Sequence, residues 1–389
     1  MLDVIASIGR DPHTGGYRRY AWNDADMELR EWFAGEAAAR SMELVEDGNG
    51  NQFAWWGTGT NALLIGSHLD SVPDGGAYDG PLGVVSSFAA VDRLRAEKFT
   101  PDRPVVVANF ADEEGARFGI ACAGSQLVTG VLSADTALSL KDRDGLTLAE
   151  VMTARGRDPR AVGRTDLLDS VGAFVELHVE QGRSLIHSGA AVGVATAIWP
   201  HGRWRLDFCG EANHAGATLM EDRHDPMQAY AATVLAARRL ATDAGARATF
   251  GRLEVEPGGT NAIPSRVRAW LDARAADEGR LDQLVDQLVH QARAAADPDG
   301  TTVTLTTESV SPAVEFDGPL RDRLASLLDA PVLPTGAGHD AGVLSPHVPT
   351  AMLFVRNPTG VSHSPAEFAE DSDCEAGVEA LAAVVRDLA

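Results

Sequence analysis

The chain has 389 residues, 44% hydrophobic and 23% charged, an ordinary globular composition spread over too much length for one compact core. Its 56 acidic and 33 basic residues leave a net charge of −23, a field that repels phosphate backbones and anionic lipid. Nucleic acid and membrane are therefore not expected partners.

Three widely spaced cysteines, Cys122, Cys209 and Cys374, spell neither a disulfide framework nor a metal knuckle. The opening MLDVIASIGRDP lacks the long apolar run of a secretion leader, and no stretch approaches the roughly 18 apolar residues of a membrane span. A cytoplasmic location is expected.

Along the first half, strand-like and helix-like runs alternate. Ala62-Leu63-Leu64-Ile65-Gly66 is a short apolar run followed by the polar His68-Leu69-Asp70. After Gly80-Pro81-Leu82-Gly83, the residues Val84, Phe88, Val91 and Leu94 recur at helical spacing. Pro104 to Phe110 is β-branched with no polar alternation until its end, as in a strand buried on both faces. Ala173 to His178 reads as another strand. The alternation predicts an α/β sheet covered by helices on both sides.

From about Val194 the texture changes. Arg203–Cys209 alternates polar and apolar residues, Pro226–Leu240 is an Ala-rich helix, and Arg266–Arg274 alternates again. Leu281–Ala295 is amphipathic and Thr301–Thr306 is a last strand. The β-α-β-β-α-β order predicts a ferredoxin-like insert. Buried-strand texture returns at Ala351–Val355, and a helix from Glu375 to Leu388 closes the chain.

Most polar residues of interest follow apolar strands, where open α/β sheets place their sites. His68, Asp79, Glu114, His178 and His363 supply five nitrogen or oxygen donors, the set that zinc- and manganese-type ions prefer. Five donors with one shared carboxylate suit two ions close together. Glu113, beside Glu114, is placed to act as general base. Asp70, two residues after His68, can accept the far N–H of that imidazole and orient it.

Six ordered stretches carry a resemblance over nearly the whole chain: Gly66–Gly80, Glu113–Phe118, Glu176–Gly182, Glu211–Gly216, Gly336–Ala341 and Gly360–Pro365. They resemble the M20-type binuclear metallohydrolases, in particular the hydantoinase/carbamoylase branch. Gln181 and the Glu-Glu-Gly-x-Arg-Phe run separate that branch from related peptidases. The resemblance implies a mixed-sheet α/β/α catalytic domain at 1–194 and 311–389, interrupted at 195–310 by an α+β dimerisation or lid domain. It also implies two divalent ions, zinc or manganese, one held by His68, Asp79 and His178 and the other by Asp79, Glu114 and His363. Glu113, Asp70 and His214 are then catalytic, and Gln181, His214, Asn261 and Arg274 contact substrate, with His214 reaching across a homodimer.

An Arg at 274 can hold a carboxylate in a bidentate pair. His339 is expected only to shape its Gly-rich loop. The run Gly336–Ala341 formally fits GxGxxA, but Pro334 precedes it and Pro346 is expected to cut off any following helix, so a dinucleotide role is disfavoured. Leu219-Met220 departs from the Pro-Met of many relatives, and the turn after His214 is less stiff for it.

The expected reaction is hydrolysis of a ureido or carbamoyl C–N bond in a small carboxylate, with release of ammonia and carbon dioxide. Allantoate is the first choice, on the likeness of the run Ile8–Tyr17. An N-carbamoyl-L-amino acid or N-carbamoyl-β-alanine is the alternative. Gln181 argues against a dipeptidase or deacylase, and the intact base and ligand set argue against a non-catalytic metal-binding protein.

Overall fold

A computed structural model describes residues 2–389. The chain forms two compact units: one runs up to Ala197 and resumes at Glu315, and the other is Ile198–Val314. The first strands are β1 (Glu43–Glu46), β2 (Gln52–Trp56), β3 (Ala62–His68), β4 (Val105–Phe110), β5 (Val171–Val179) and β6 (Val192–Ile198). Then come β7 (His201–Cys209), β8 (Asn213–His214), β9 (Arg247–Glu256), β10 (Ala262–Ile263), β11 (Arg266–Arg274) and β12 (Thr302–Ser311). The last are β13 (Val314–Glu315), β14 (Val332–Thr335) and β15 (Thr350–Val355).

The first unit is built on a mixed sheet in the order β1-β2-β4-β3-β5-β15-β6-β13, with β14 also on β6. Its centre is parallel: β3 pairs with both β4 and β5, and β15 pairs with β5. Every residue of β3, β4 and β15 is buried, which accounts for their unbroken apolar runs. On one face Leu63, Ile65, Val107, Leu177 and Leu353 pack with Leu82, Phe88, Val91, Val378 and Leu381 from the helices Pro81–Ala96 and Asp371–Leu388. On the other face Leu64, Val106, Phe174 and Met352 are equally buried. The parallel register sets His68 opposite Phe110 and Gly66 opposite Glu176, so the polar ends of β3, β4 and β5 emerge at one edge of the sheet.

The second unit is an antiparallel sheet in the order β12-β7-β11-β9, with the helices Pro226–Ala244 and Glu278–Ala296 between strands in a β-α-β-β-α-β sequence. Along β11, Val267, Ala269, Leu271 and Ala273 are buried and their neighbours are half-buried, the period of two that their alternation predicts. These residues share a separate core with Leu281, Leu288 and Ala292.

One local expectation is corrected. Pro346 does not prevent a helix after Gly336–Ala341: Asp340–Leu344 forms a single short one that stops just before it. Among the described residues, no helix is long and apolar enough to cross a membrane.

Candidate metal centre

His68 is the last residue of β3, Glu113 and Glu114 sit on the turn after β4, and His363 follows β15. Asp79 lies just before the helix Pro81–Ala96. His178 differs from the strand-end expectation, for it lies inside β5, one residue before its end. These residues converge into two groups whose potential ligand atoms lie within 4.8 Å of one another: His68, Asp79 and His178, then Asp79, Glu114 and His363. Asp79 belongs to both. Its Oδ1 lies 3.0 Å from His178 Nε2 and 3.6 Å from His68 Nε2, and its Oδ2 lies 3.4 Å from His363 Nε2. His363 Nε2 is 3.6 Å from Glu114 Oε2, and its side chain is 50% exposed, so it stands at the mouth of the site.

The imidazole hydrogen bonds test whether this set fits a cation. His178 Nδ1 lies 2.8 Å from the Val179 carbonyl, and His68 Nδ1 lies 3.2 Å from the Asp70 carbonyl. A carbonyl only accepts, so each Nδ1 carries a proton and each Nε2 is left to face the acids of the site. Both Nε2 atoms are buried without a hydrogen-bond partner, aimed at Asp79. A lone pair facing a carboxylate is repulsive unless a cation or a proton lies between them. The residues fit a divalent ion in each group.

The electrostatics agree. Burial alone would depress His68, yet the carboxylates of Glu113, Asp70 and Asp79 hold it well above the ordinary imidazole range. Burial would raise Asp79, but His178, His363 and His68 hold it well below. The contact with Asp79 pushes His363 up to about 9 despite its burial, and burial together with Asp79 pushes Glu114 up to about 7.

Glu113 belongs to neither group. Its Oε2 is 3.6 Å from His68 Nε2, and its Oε1 accepts from Cys122 Sγ at 3.3 Å. Burial drives its carboxyl well above the usual range; His68 opposes this, and Asp340, Glu114 and Asp70 add to it. Asp70 does more than orient His68. Its two oxygens accept the backbone N–H groups of Glu113 and Glu114, each at 3.1 Å, and Oδ1 lies 3.4 Å from His68 Nδ1. One buried carboxylate thereby ties a histidine of the first group to the turn carrying both glutamates.

His339, expected only to shape its loop, is buried with its ring edge-on to His178, centroids 4.5 Å apart. Burial and the neighbouring His178 hold it well below the imidazole range. Gln181 donates to Asp79 Oδ2 at 2.8 Å. Glu367 is not marked in the sequence, and neither Ser362, within Gly360–Pro365, nor Cys122 is given a role there. Glu367 could have been noticed as an acid four residues past His363.

Gly80 fixes the approach of Asp79. Its φ is +81°, and a Cβ there would lie 2.3–2.5 Å from three His68 ring atoms. Gly80→Ala should weaken ion uptake at least about tenfold by displacing His68, as removal of a ligand's support does. Titration of apoprotein with zinc, alongside circular dichroism to confirm the fold, checks this; unchanged affinity would separate Gly80 from the centre.

The other predicted residues lie in the second unit. His214 and Asn261 come together where β8 pairs with β10, with the Ala215 N–H donating to the Asn261 carbonyl. Both are exposed. His214 Nδ1 accepts the N–H groups of Gly216 and Ala217, each at 3.1 Å. Arg274 closes β11, its Nε and Nη2 donating to the two oxygens of Asp272 at 2.9 and 3.2 Å.

Residues 64–387 match the profile of peptidase family M20/M25/M40. The chain is 37% identical to an N-carbamoyl-L-amino acid amidohydrolase of Geobacillus stearothermophilus, covering 100% of this chain and 97% of the relative. It is 32% identical to an allantoate amidohydrolase of Escherichia coli, covering 100% and 96%. A crystal structure of a hydantoinase/carbamoylase family amidase from Burkholderia multivorans superposes with a TM-score of 0.88 at 30% identity, covering 100% and 96%.

Proposed function

Because the chain belongs to peptidase family M20/M25/M40 and is a hydrolase of carbamoyl or ureido C–N bonds, we propose that it cleaves allantoate at a centre of two divalent ions, zinc or manganese. The observation that carries this reading is the pair of ligand groups joined at Asp79, with a buried carboxylate, Glu113, beside them and outside both. His68, Asp79 and His178 would hold one ion, and Asp79, Glu114 and His363 the other. When bound, the ions supply Lewis acidity, polarising the substrate carbonyl and lowering the pKa of a nearby water.

Glu113 takes the proton of the attacking water as the new C–O bond forms at the carbamoyl carbon. It then returns that proton to the nitrogen whose C–N bond breaks. The amine leaves, and the carbamic acid falls apart into ammonia and carbon dioxide. Asp70 holds Glu113 in place through the backbone, and Cys122 holds one carboxylate oxygen.

Arg274 is assigned to the substrate carboxylate, which would take the place of Asp272 on its planar fork. His214 is assigned to the scissile carbonyl. With Nδ1 occupied by two amide N–H groups, its proton lies on Nε2, the donor that a developing oxyanion needs. Asn261 stands beside it.

His214 and Asn261 lie at the Arg266 end of β11, and Arg274 lies at the other. Between those ends β11 runs nine residues at ~3.3 Å each, which separates the two groups within one chain. A site that uses all three from two chains accommodates this separation, so a homodimer is part of the proposal.

A second reading, an N-carbamoyl-L-amino acid as substrate, is favoured by the higher identity to that relative. Ammonia release from metal-loaded protein on allantoate, ureidoglycolate, N-carbamoyl-β-alanine and N-carbamoyl-L-amino acids decides between them. We expect kcat/KM for allantoate to lead by at least about tenfold, which is about 1.4 kcal/mol of transition-state binding. Leadership by an N-carbamoyl-L-amino acid would install the second reading, and no ammonia from any of the four would defeat both.

A further inference from the structure

Asp79 Oδ2 is crowded by donors. Gln181 Nε2 donates to it at 2.8 Å, and Ser362 Oγ lies 2.9 Å away. The Ser362 hydroxyl is also 3.0 Å from Glu367 Oε1, and Gln181 Nε2 lies 3.3 Å from Ser362 Oγ. A serine has one hydroxyl hydrogen, so Ser362 donates either to Asp79 or to Glu367 at any moment. The other Glu367 oxygen is fully engaged: Oε2 accepts the backbone N–H groups of Tyr78 at 2.9 Å and Asp79 at 3.0 Å. Glu367 is 5% exposed, and a Cβ on Gly76 would come within 2.2–2.5 Å of its side chain, so the loop before Asp79 is moulded around it.

From this arrangement we infer that Glu367 and Ser362 are positioning residues that hand Asp79 Oδ2 over to a cation. As an acceptor, Glu367 Oε1 draws the Ser362 hydrogen away from Asp79. Ser362 Oγ then accepts the second N–H of Gln181, and one Oδ2 lone pair is left for the ion of the Asp79, Glu114 and His363 group. With the hydroxyl turned the other way, its hydrogen occupies the same lone pair. The two hydroxyl orientations therefore favour different occupancies of that group, while Asp79 Oδ1, which faces His68 and His178, is untouched. The inference rests on the two-ion reading of the centre.

Glu367→Gln isolates the effect without removing the side chain. Two backbone N–H groups point at the Oε2 position, so the introduced glutamine must place its oxygen there and its NH₂ towards Ser362. Ser362 Oγ must then accept from that side-chain amide, and its hydrogen is forced onto Asp79 Oδ2. Titrating apoprotein with zinc or manganese, with bound ion counted by elemental analysis, should show the second ion weakened at least about tenfold and the first unchanged. The same variant should show a reduced kcat at limiting metal that recovers at high metal, with KM unaltered.

Adding Ser362→Ala to Glu367→Gln removes the competing hydrogen and should restore the second ion's affinity. Wild type that takes up fewer than two ions overturns the two-ion reading and this inference with it. Wild type with two ions and Glu367→Gln with both equally tight overturns the inference alone. So does weakening of both ions together, or a double variant that stays as weak as Glu367→Gln.

Discussion

Glu113→Gln should retain its ions and turn over at least about 10²-fold more slowly than wild type, the low end for loss of a general base. The substitution keeps the shape of the side chain and an oxygen able to accept from Cys122 Sγ. It removes only the capacity to take a proton. Glu113 stands outside both ligand groups, and its closest approach to the histidines is 3.6 Å, to His68 Nε2. Metal content by elemental analysis should therefore match wild type while kcat falls. If ions and activity are lost together, Glu113 is a ligand and another group is the base.

Mixing His214→Ala with Glu113→Gln protein, each inactive alone, should recover about a quarter of wild-type activity per chain. In a two-fold dimer, half of randomly exchanged dimers are mixed, and one of the two sites in each joins an intact Glu113 to the partner's intact His214. The opposite-end placement of His214 and Arg274 along β11 motivates the test. Exchange must be demonstrated with differently tagged chains. Proven exchange without recovery would place His214 in its own chain's site or in none.

What the sequence made legible follows from local contrast. His68, Glu114 and His178 stand out because each lies at or just past the end of an apolar run that marks a central strand, whereas Asp79 and His363 sit in Gly- and polar-rich loops and are picked out by the motifs around them. The insert was equally plain, because β7 and β11 alternate in register with a one-sided core. The residues that support the ligands were not plain. Glu367 meets Asp79 across 288 positions, a contact made only because β15 inserts beside β5. His339 looks like any loop histidine until its burial against His178 is seen. The edge strand β1 was hidden by its own exposure: Glu43, Leu44 and Val45 all face solvent, so no apolar pattern marks it. Asp70 reads as a partner for His68, and only the fold reveals that its side chain also holds the backbone N–H groups of two glutamates at once.

The interleaved order of the chain has a consequence for its synthesis. His68, Asp79 and His178 all precede the second unit, whereas His363 follows it and β15 arrives late, into a gap between β5 and β6. Chains emerge from the ribosome N-terminus first, and their domains fold as units. A nascent protein therefore contains the residues of the first ligand group long before His363, the last residue of the second group, is made. Until β15 is made, β5 presents an open central edge, the kind of surface that pairs with other chains. Translation that stalls between Val314 and Thr350 thus yields a product with the residues of the second unit complete and the β15 side of β5 unpaired.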